Sequence, residues 1–309
     1  MAITDEGWYR FLADHPEISE LNFWTPSARR RFRAPRFSRF LFKLRAPHNA
    51  ICGFAYVAHF STLPDWLAWD TFGLGNGCAS FAELRERIAR IRTRIRYDDR
   101  TGSDEIGCIQ LVSPVFFPRE LWIPQPMDWR PRTQTPVKYD LAAGEGRRVW
   151  EACLDHARML SAVPLASAND AFGEPPAPYG EARRVRPRLG QATFRIAVLD
   201  AYGRACAVTH EHSLPALESS HIRSYANNGP HEVRNGLLLR ADLHRLFDTG
   251  YVTVTPDLRF EVSSRLRDDY NNGRSYYPLH GMRLRVPTAP ADRPDKEFLD
   301  WHREHVFRG

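Results

Sequence analysis

The stretch from His221 to Asp248 constrains this chain more than any other. Two histidines, an asparagine and an aspartate fall within 28 residues, in the order His221, Asn235, His244, Asp248. Asn235 to Arg240, with Leu237, Leu238 and Leu239 at its centre, reads as a strand, and Ala241 to Phe247 reads as a short helix directly after it. His244 and Asp248 are four residues apart, so a helix puts both on one face, where they can chelate a single ion. An imidazole with a carboxylate suits a borderline or hard divalent cation. A phosphodiester resists hydrolysis because its anionic oxygens repel the nucleophile, so its cleavage needs a base to activate water and a cation to neutralise charge. A strand, a loop, a second strand and a helix can deliver both.

Composition narrows the setting. At 309 residues the chain has room for two domains, and 43% hydrophobic content supplies their cores. Lys and Arg outnumber Asp and Glu by 43 to 37, a net charge of +6 that permits a polyanionic partner. Cys52, Cys78, Cys108, Cys153 and Cys206 are scattered without a C-x-x-C pair, which argues against a disulfide framework and a four-cysteine zinc site and favours buried thiols in a reducing cytoplasm. No apolar run reaches 18 residues, and the N-terminus lacks a basic region followed by an apolar one, so neither a membrane span nor a secretory signal is expected.

The chain divides into a mixed unit over 1–160, a linker over 161–190 and a second unit over 191–309. In the first, Phe40 to Leu44 and Ile51 to Phe60 read as strands, and Ser80 to Arg94 as a helix capped by Ser80 with Glu83 three residues on. Phe81, Leu84, Ile88, Ile91 and Ile95 form that helix's apolar stripe. Ile106 to Leu111 is a further strand, Phe117 to Pro136 a proline-rich loop packed by aromatics, and Gly144 to Leu160 a helix. The linker is rich in Ala, Pro and Gly and carries an arginine run over 183–188 that suits either solvent or phosphates. In the second unit, Gln191 to Ala201 reads as a helix, Cys206 to Val208 as a short strand, and a loop then leads to His221. Tyr251 to Thr255 and Arg259 to Val262 make a hairpin around Pro256-Asp257, and Lys296 to His305 closes the chain as a helix.

The context Leu217-Glu218-Ser219-Ser220-His221-Ile222-Arg223, then Asn235-Gly236-Leu237-Leu238-Leu239-Arg240 through to Asp248, resembles the HNH, or ββα-metal, endonucleases. The resemblance covers roughly residues 195 to 262. It implies His221 as general base, Asn235 as the residue that bridges the hairpin and orients it, and His244 with Asp248 as ligands of a divalent metal such as Mg, Mn, Co or Ni. Two departures stand out. Ser220, a poor ligand, occupies the place before the base where many members have a metal-binding Asp or His. Cys206 faces Thr209 where many members have a C-x-x-C pair, so no structural zinc is expected, and Phe247, Leu237 and Leu239 must hold the core. The histidines at 210, 212 and 231 read as solvated loop residues.

The first unit has to supply targeting. The segment Asn22-Phe23-Trp24-Thr25-Pro26-Ser27 and the segment Leu63 to Gly73 put aromatics beside polar groups, and flat rings stack on an extruded base while amides read its edge. Over about residues 15 to 155 the strand pair, the Trp69-Asp70-x-Phe72-Gly73-x-x-Asn76-Gly77 segment and the following helix resemble PUA-like domains of the EVE type, found fused to HNH nucleases. This resemblance implies an α+β protein: a PUA-like β-barrel with helices, then a ββα-metal domain. It further implies a bacterial modification-dependent restriction endonuclease acting on double-stranded DNA that carries 5-methyl- or 5-hydroxymethylcytosine, with Asn22, Trp24, Trp69 and Phe72 as base-pocket candidates. Two other readings stand beside it: an HNH nuclease that reads unmodified sequence or another mark, and a binding module whose HNH unit has lost catalysis at Ser220. A homodimer would let two sites cut both strands, and the sequence leaves that state open.

Overall fold

Apolar alternation in the first unit is resolved into a sheet. A computed structural model describes residues 1–29, 32–94, 104–130, 133, 136–162 and 190–309. The chain falls into two units, 1–188 and 189–309. The linker expected at 161–190, with its arginine run, lies almost wholly outside the described residues, as does Ile95 of the expected helical stripe.

Among the described residues the first unit holds six strands: β1 (Ala2–Thr4), β2 (Glu20–Thr25), β3 (Arg39–Leu44), β4 (Ala50–Pro64), β5 (Glu105–Phe116) and β6 (Ile123–Pro124). Their order is β1-β3-β4-β5-β2, with β6 on β4. β1 runs parallel to β3 and the other pairings are antiparallel. β4 is 15 residues long and shifts register against β5 at Phe54/Tyr56 and at Val57/His59. Such bulges bend a strand and raise its twist, and the sheet curls into a half-barrel. β1, β2 and the helix α1 (Glu6–Ala13) were not apparent from the sequence. α1 starts where the Asp5 carboxylate accepts the Trp8 N–H, and it packs Trp8, Tyr9 and Leu12 against the sheet. There they meet Leu21, Phe40, Phe42, Val57, Ile109 and Leu111.

The helix α2 (Asp65–Phe72) follows β4, and α3 (Phe81–Arg94) begins as expected, with Ser80 Oγ accepting the Glu83 N–H at 3.2 Å. Leu84 and Ile88 of its stripe are buried, whereas Ile91 is exposed. α4 (Gly144–Ala162) packs Val149 and Cys153 against Leu41, Ile51, Phe54 and Phe117 on the other side of the sheet. The proline-rich segment is mostly irregular, as expected, but β6 pairs part of it with the start of β4. No helix among the described residues is long and apolar enough to cross a membrane.

The second unit runs α5 (Gln191–Ala201), β7 (Leu217–His221), β8 (Gly236–Arg240), α6 (Ala241–Asp248), β9 (Val252–Val254), β10 (Phe260–Val262), α7 (Arg265–Tyr270) and α8 (Lys296–His305). β7 with β8, and β9 with β10, are antiparallel pairs. Phe194, Val198, Tyr202, Leu237, Leu239, Leu243, Phe247, Val254 and Phe260 make its buried core. The sequence places the first strand wrongly. Cys206 to Val208 is a turn, in which the Cys206 N–H donates to Glu211 O and the His210 N–H to Cys206 O. His210 at φ 60° then breaks any extension, and the strand begins only at Leu217.

Candidate active site

β7 and β8 bring His221 opposite Gly236, and α6 follows β8 without an intervening residue. His221 therefore ends one strand beside the start of the next. A Cβ at Gly236 would lie 2.5 Å from Val198 Cγ2 and 3.1 Å from the Phe194 ring. Glycine there lets α5 press against the hairpin, and Phe194 stacks on the His221 imidazole with centroids 3.9 Å apart and planes 12° apart. Ser219 Oγ donates to Arg195 O at 2.8 Å and ties the same helix to β7. His221 Nε2 lies 2.9 Å from His231 Nδ1. Burial pushes the His221 imidazole down to about 4, with His231 and His244 adding like-charge repulsion. The imidazole is therefore uncharged at neutral pH.

Asn235 is fully buried at the end of a helical turn rather than in β8. Its Nδ2 donates to Arg223 O and to Pro230 O, each at 2.9 Å, and its Oδ1 accepts the Arg223 N–H at 2.9 Å. One side chain thus clasps both ends of the loop between the strands. Ser220 is fully buried in the hairpin, with its Oγ donating to His221 O.

On α6, His244 and Asp248 share a face, as their spacing predicts, with His244 Nε2 3.2 Å from Asp248 Oδ2. The other ring nitrogen, Nδ1, lies 2.6 Å from Glu218 Oε2 of β7. Partial burial raises the Asp248 carboxyl above its ordinary range, His244 opposes that and Glu218 adds to it; the side chain remains 56% exposed, so solvent screens much of the effect. Among the described residues no group of three or more His, Cys, Asp or Glu side chains is arranged to hold a metal ion. The pair nonetheless fits a divalent cation in donor chemistry: one imidazole nitrogen and one carboxylate on one helical turn, with the second carboxylate on the far nitrogen of the same ring. Cys206 is buried and its Sγ accepts the Thr209 N–H at 3.5 Å.

Glu218, His231 and Phe194 escaped the sequence reading. His231, expected to be a solvated loop residue, instead meets His221 and stacks on Tyr225 with centroids 4.9 Å and planes 5° apart. The histidines at 210 and 212 are exposed, as expected.

In the first unit two of the four base-pocket candidates, Asn22 and Trp24, meet Asn76. Asn22 is fully buried and its Nδ2 donates to Asn76 Oδ1 at 2.8 Å, while Trp24 Nε1 donates to Asn76 O at 3.0 Å. Phe72 is buried, and Trp69 lies 6.4 Å from Phe81 between ring centroids. A cavity of about 560 Å³ opens elsewhere, and none of the four lines it. Among the described residues its walls include Phe32, Arg33, Arg36, His59, Phe60 and Lys138, and no carboxylate.

A comparison with curated proteins finds no match. Among solved structures, a mutant ZmASCH protein from Zymomonas mobilis is similar at 13% identity and a TM-score of 0.31, over 48% of this chain and 94% of that one. The modification-dependent TagI restriction endonuclease is similar at 14% identity and a TM-score of 0.30, over 93% of this chain and 75% of that one. Residues 206–255, which hold all four residues of the site, match the HNH endonuclease family, and the second unit carries an HNH endonuclease domain.

Proposed function

We propose that this chain is a divalent-metal-dependent DNA endonuclease that acts on DNA carrying a modified cytosine. The observation that carries the nuclease reading is the pairing, within one HNH domain, of a neutral, ring-stacked His221 with a His244–Asp248 pair on the following helix. In this reading His221 takes a proton from the attacking water. Asn235 holds the loop that closes over the hairpin. His244 Nε2 and Asp248 would hold the cation, which supplies charge neutralisation at the phosphoryl group and leaving oxygen. Glu218 accepts the Nδ1–H of His244 and so turns the Nε2 lone pair toward Asp248. The water attacks phosphorus as the P–O3′ bond breaks; O3′ leaves as an alkoxide that takes a proton from solvent, giving a 5′-phosphate and a 3′-hydroxyl.

The modification reading rests on the resemblance of the first unit to PUA-like domains. The first unit's cavity supports a nucleic-acid contact: Phe32 and Phe60, 6.3 Å apart between centroids, offer stacking faces, and Arg33, Arg36 and Lys138 offer charge to phosphates. Digestion of matched DNAs that differ only in cytosine modification, with Mg, Mn, Co and Ni compared, tests both parts. Cleavage of the modified DNA alone is expected. Equal cleavage of both would leave a nuclease that reads something else, and no cleavage with any metal would leave a binding module.

A further inference from the structure

His221 has two ring nitrogens, and only one of them can face the water. Stacking on Phe194 fixes the plane of the ring, but it is indifferent to a half-turn about Cβ–Cγ, which leaves the plane unchanged and exchanges Nε2 with Cε1. The contact that distinguishes the two orientations is the 2.9 Å approach of Nε2 to His231 Nδ1, since a carbon at that place makes no comparable hydrogen bond. Among the described residues Nδ1 of His221 has no such partner.

His231 is itself held. Tyr225 stacks on its ring at 4.9 Å and 5°. The residue before it, Pro230, gives its carbonyl to Asn235 Nδ2 at 2.9 Å. Gly229, one residue earlier, passes so close to Arg223 that a Cβ there would lie 1.8 Å from Arg223 O, which ties the loop to its other arm. A buried amide, a proline carbonyl and a stacked imidazole therefore lead in sequence from Asn235 to His221.

We propose that His231 is a positioning residue that locks His221 in the Nε2–H tautomer, with Nδ1 as the nitrogen that accepts the proton. This rests on the reading of His221 as general base. The proton balance is simple. His221 Nε2–H donates to His231 Nδ1, and His231 carries its own proton on Nε2. When the water's O–H bond breaks, its proton goes to His221 Nδ1, and the bond to His231 persists in the imidazolium, where a charged donor strengthens it. The role expected for Asn235, orienting the base, thus acts through Pro230 and His231 rather than by touching His221.

The test uses the full chain. His231→Ala should lower kcat by roughly ten- to hundred-fold on the DNA and metal that wild type cleaves best, with KM within about two-fold, because the loss falls on proton transfer and not on binding. His231→Asn, whose Oδ1 stands near the place of Nδ1 and still accepts the bond, should recover most of that loss, whereas His231→Phe, which keeps only the ring stack, should not. Nitrogen-15 spectra read the tautomer without any turnover: wild-type His221 should show an unprotonated Nδ1 and a protonated Nε2, and His231→Ala should show a mixture. Wild-type kcat in His231→Ala, or a protonated Nδ1 in neutral wild-type His221, would overturn the proposal; so would a folded His231→Asn as slow as the alanine variant. His221→Ala separates the premise, since undiminished cleavage there removes the base assignment while the tautomer measurement still stands on its own.

Discussion

At the scale of residues, each candidate imidazole is held by side chains from other elements. His244 illustrates it: Glu218 takes one nitrogen and leaves the other toward Asp248. Glu218 is half-exposed, so its worth lies in orientation more than in Coulomb energy. Glu218→Ala should therefore weaken divalent-metal binding by roughly ten- to hundred-fold, as removal of a carboxylate behind a metal-bound histidine does. Titration calorimetry of the full chain with Mn measures this directly, and an unchanged affinity would show that the carboxylate does not serve His244. The spacing of His244 and Asp248 was legible in the sequence because a helix fixes which side chains meet four residues apart. Glu218 and His231 were not legible, because each meets its histidine across a strand pair or a loop, where no local period determines the contact.

At the scale of elements, a third histidine decides how the last helix docks. His302 of α8 is buried, stacks on Phe247 of α6 at 3.7 Å, accepts the Thr253 hydroxyl of β9 at Nδ1 (2.9 Å) and donates from Nε2 to Phe247 O at 3.1 Å. Burial pushes its imidazole from 6.5 down to about 4, against a smaller opposing effect of the Phe247 carbonyl. The folded state therefore excludes a proton that the unfolded chain takes up. This contribution to stability is complete above about 6.5 and is lost as pH falls from about 6.5 to about 4, a change on the order of 3 kcal/mol. His221, lowered to about 4 as well, adds to it in the same direction. Urea unfolding at pH 7 and pH 5 should show the drop, and His302→Gln, less stable at pH 7, should show a shallower one. An identical pH slope in the variant would mean that His302 is not responsible. The sequence predicted the bounds of α5 and α8 but missed the docking, since apolar periodicity says which face is buried and not against what.

At the scale of the whole molecule, two units of different construction share one chain: one built, among the described residues, on a curled six-stranded sheet, and one of short hairpins and helices whose residues 206–255 match the HNH endonuclease family. If the first unit grips DNA at its cavity, Arg36→Glu with Lys138→Glu should weaken DNA binding by the full chain by at least about ten-fold at low salt. The same pair should flatten the salt dependence, by nearly one unit of log–log slope for each phosphate that the protein no longer neutralises. Fluorescence anisotropy over a salt series measures both. An unchanged slope would take the cavity out of the DNA path.

The sequence by itself determined the order and spacing of His221, Asn235, His244 and Asp248, the helix-borne His244–Asp248 pair, and most of the strands and helices that carry a clear apolar period. Those features depend on residues near one another in the chain, where backbone geometry translates spacing directly into position. Only the tertiary structure decided that Asn22 and Phe72 lie in buried packing while Phe32, Arg36 and Lys138 frame a cavity. It also decided that Phe194 and His231 meet His221 and that Glu218 meets His244, because each comes from a separate element, and the meeting of separate elements is set by how their buried faces pack.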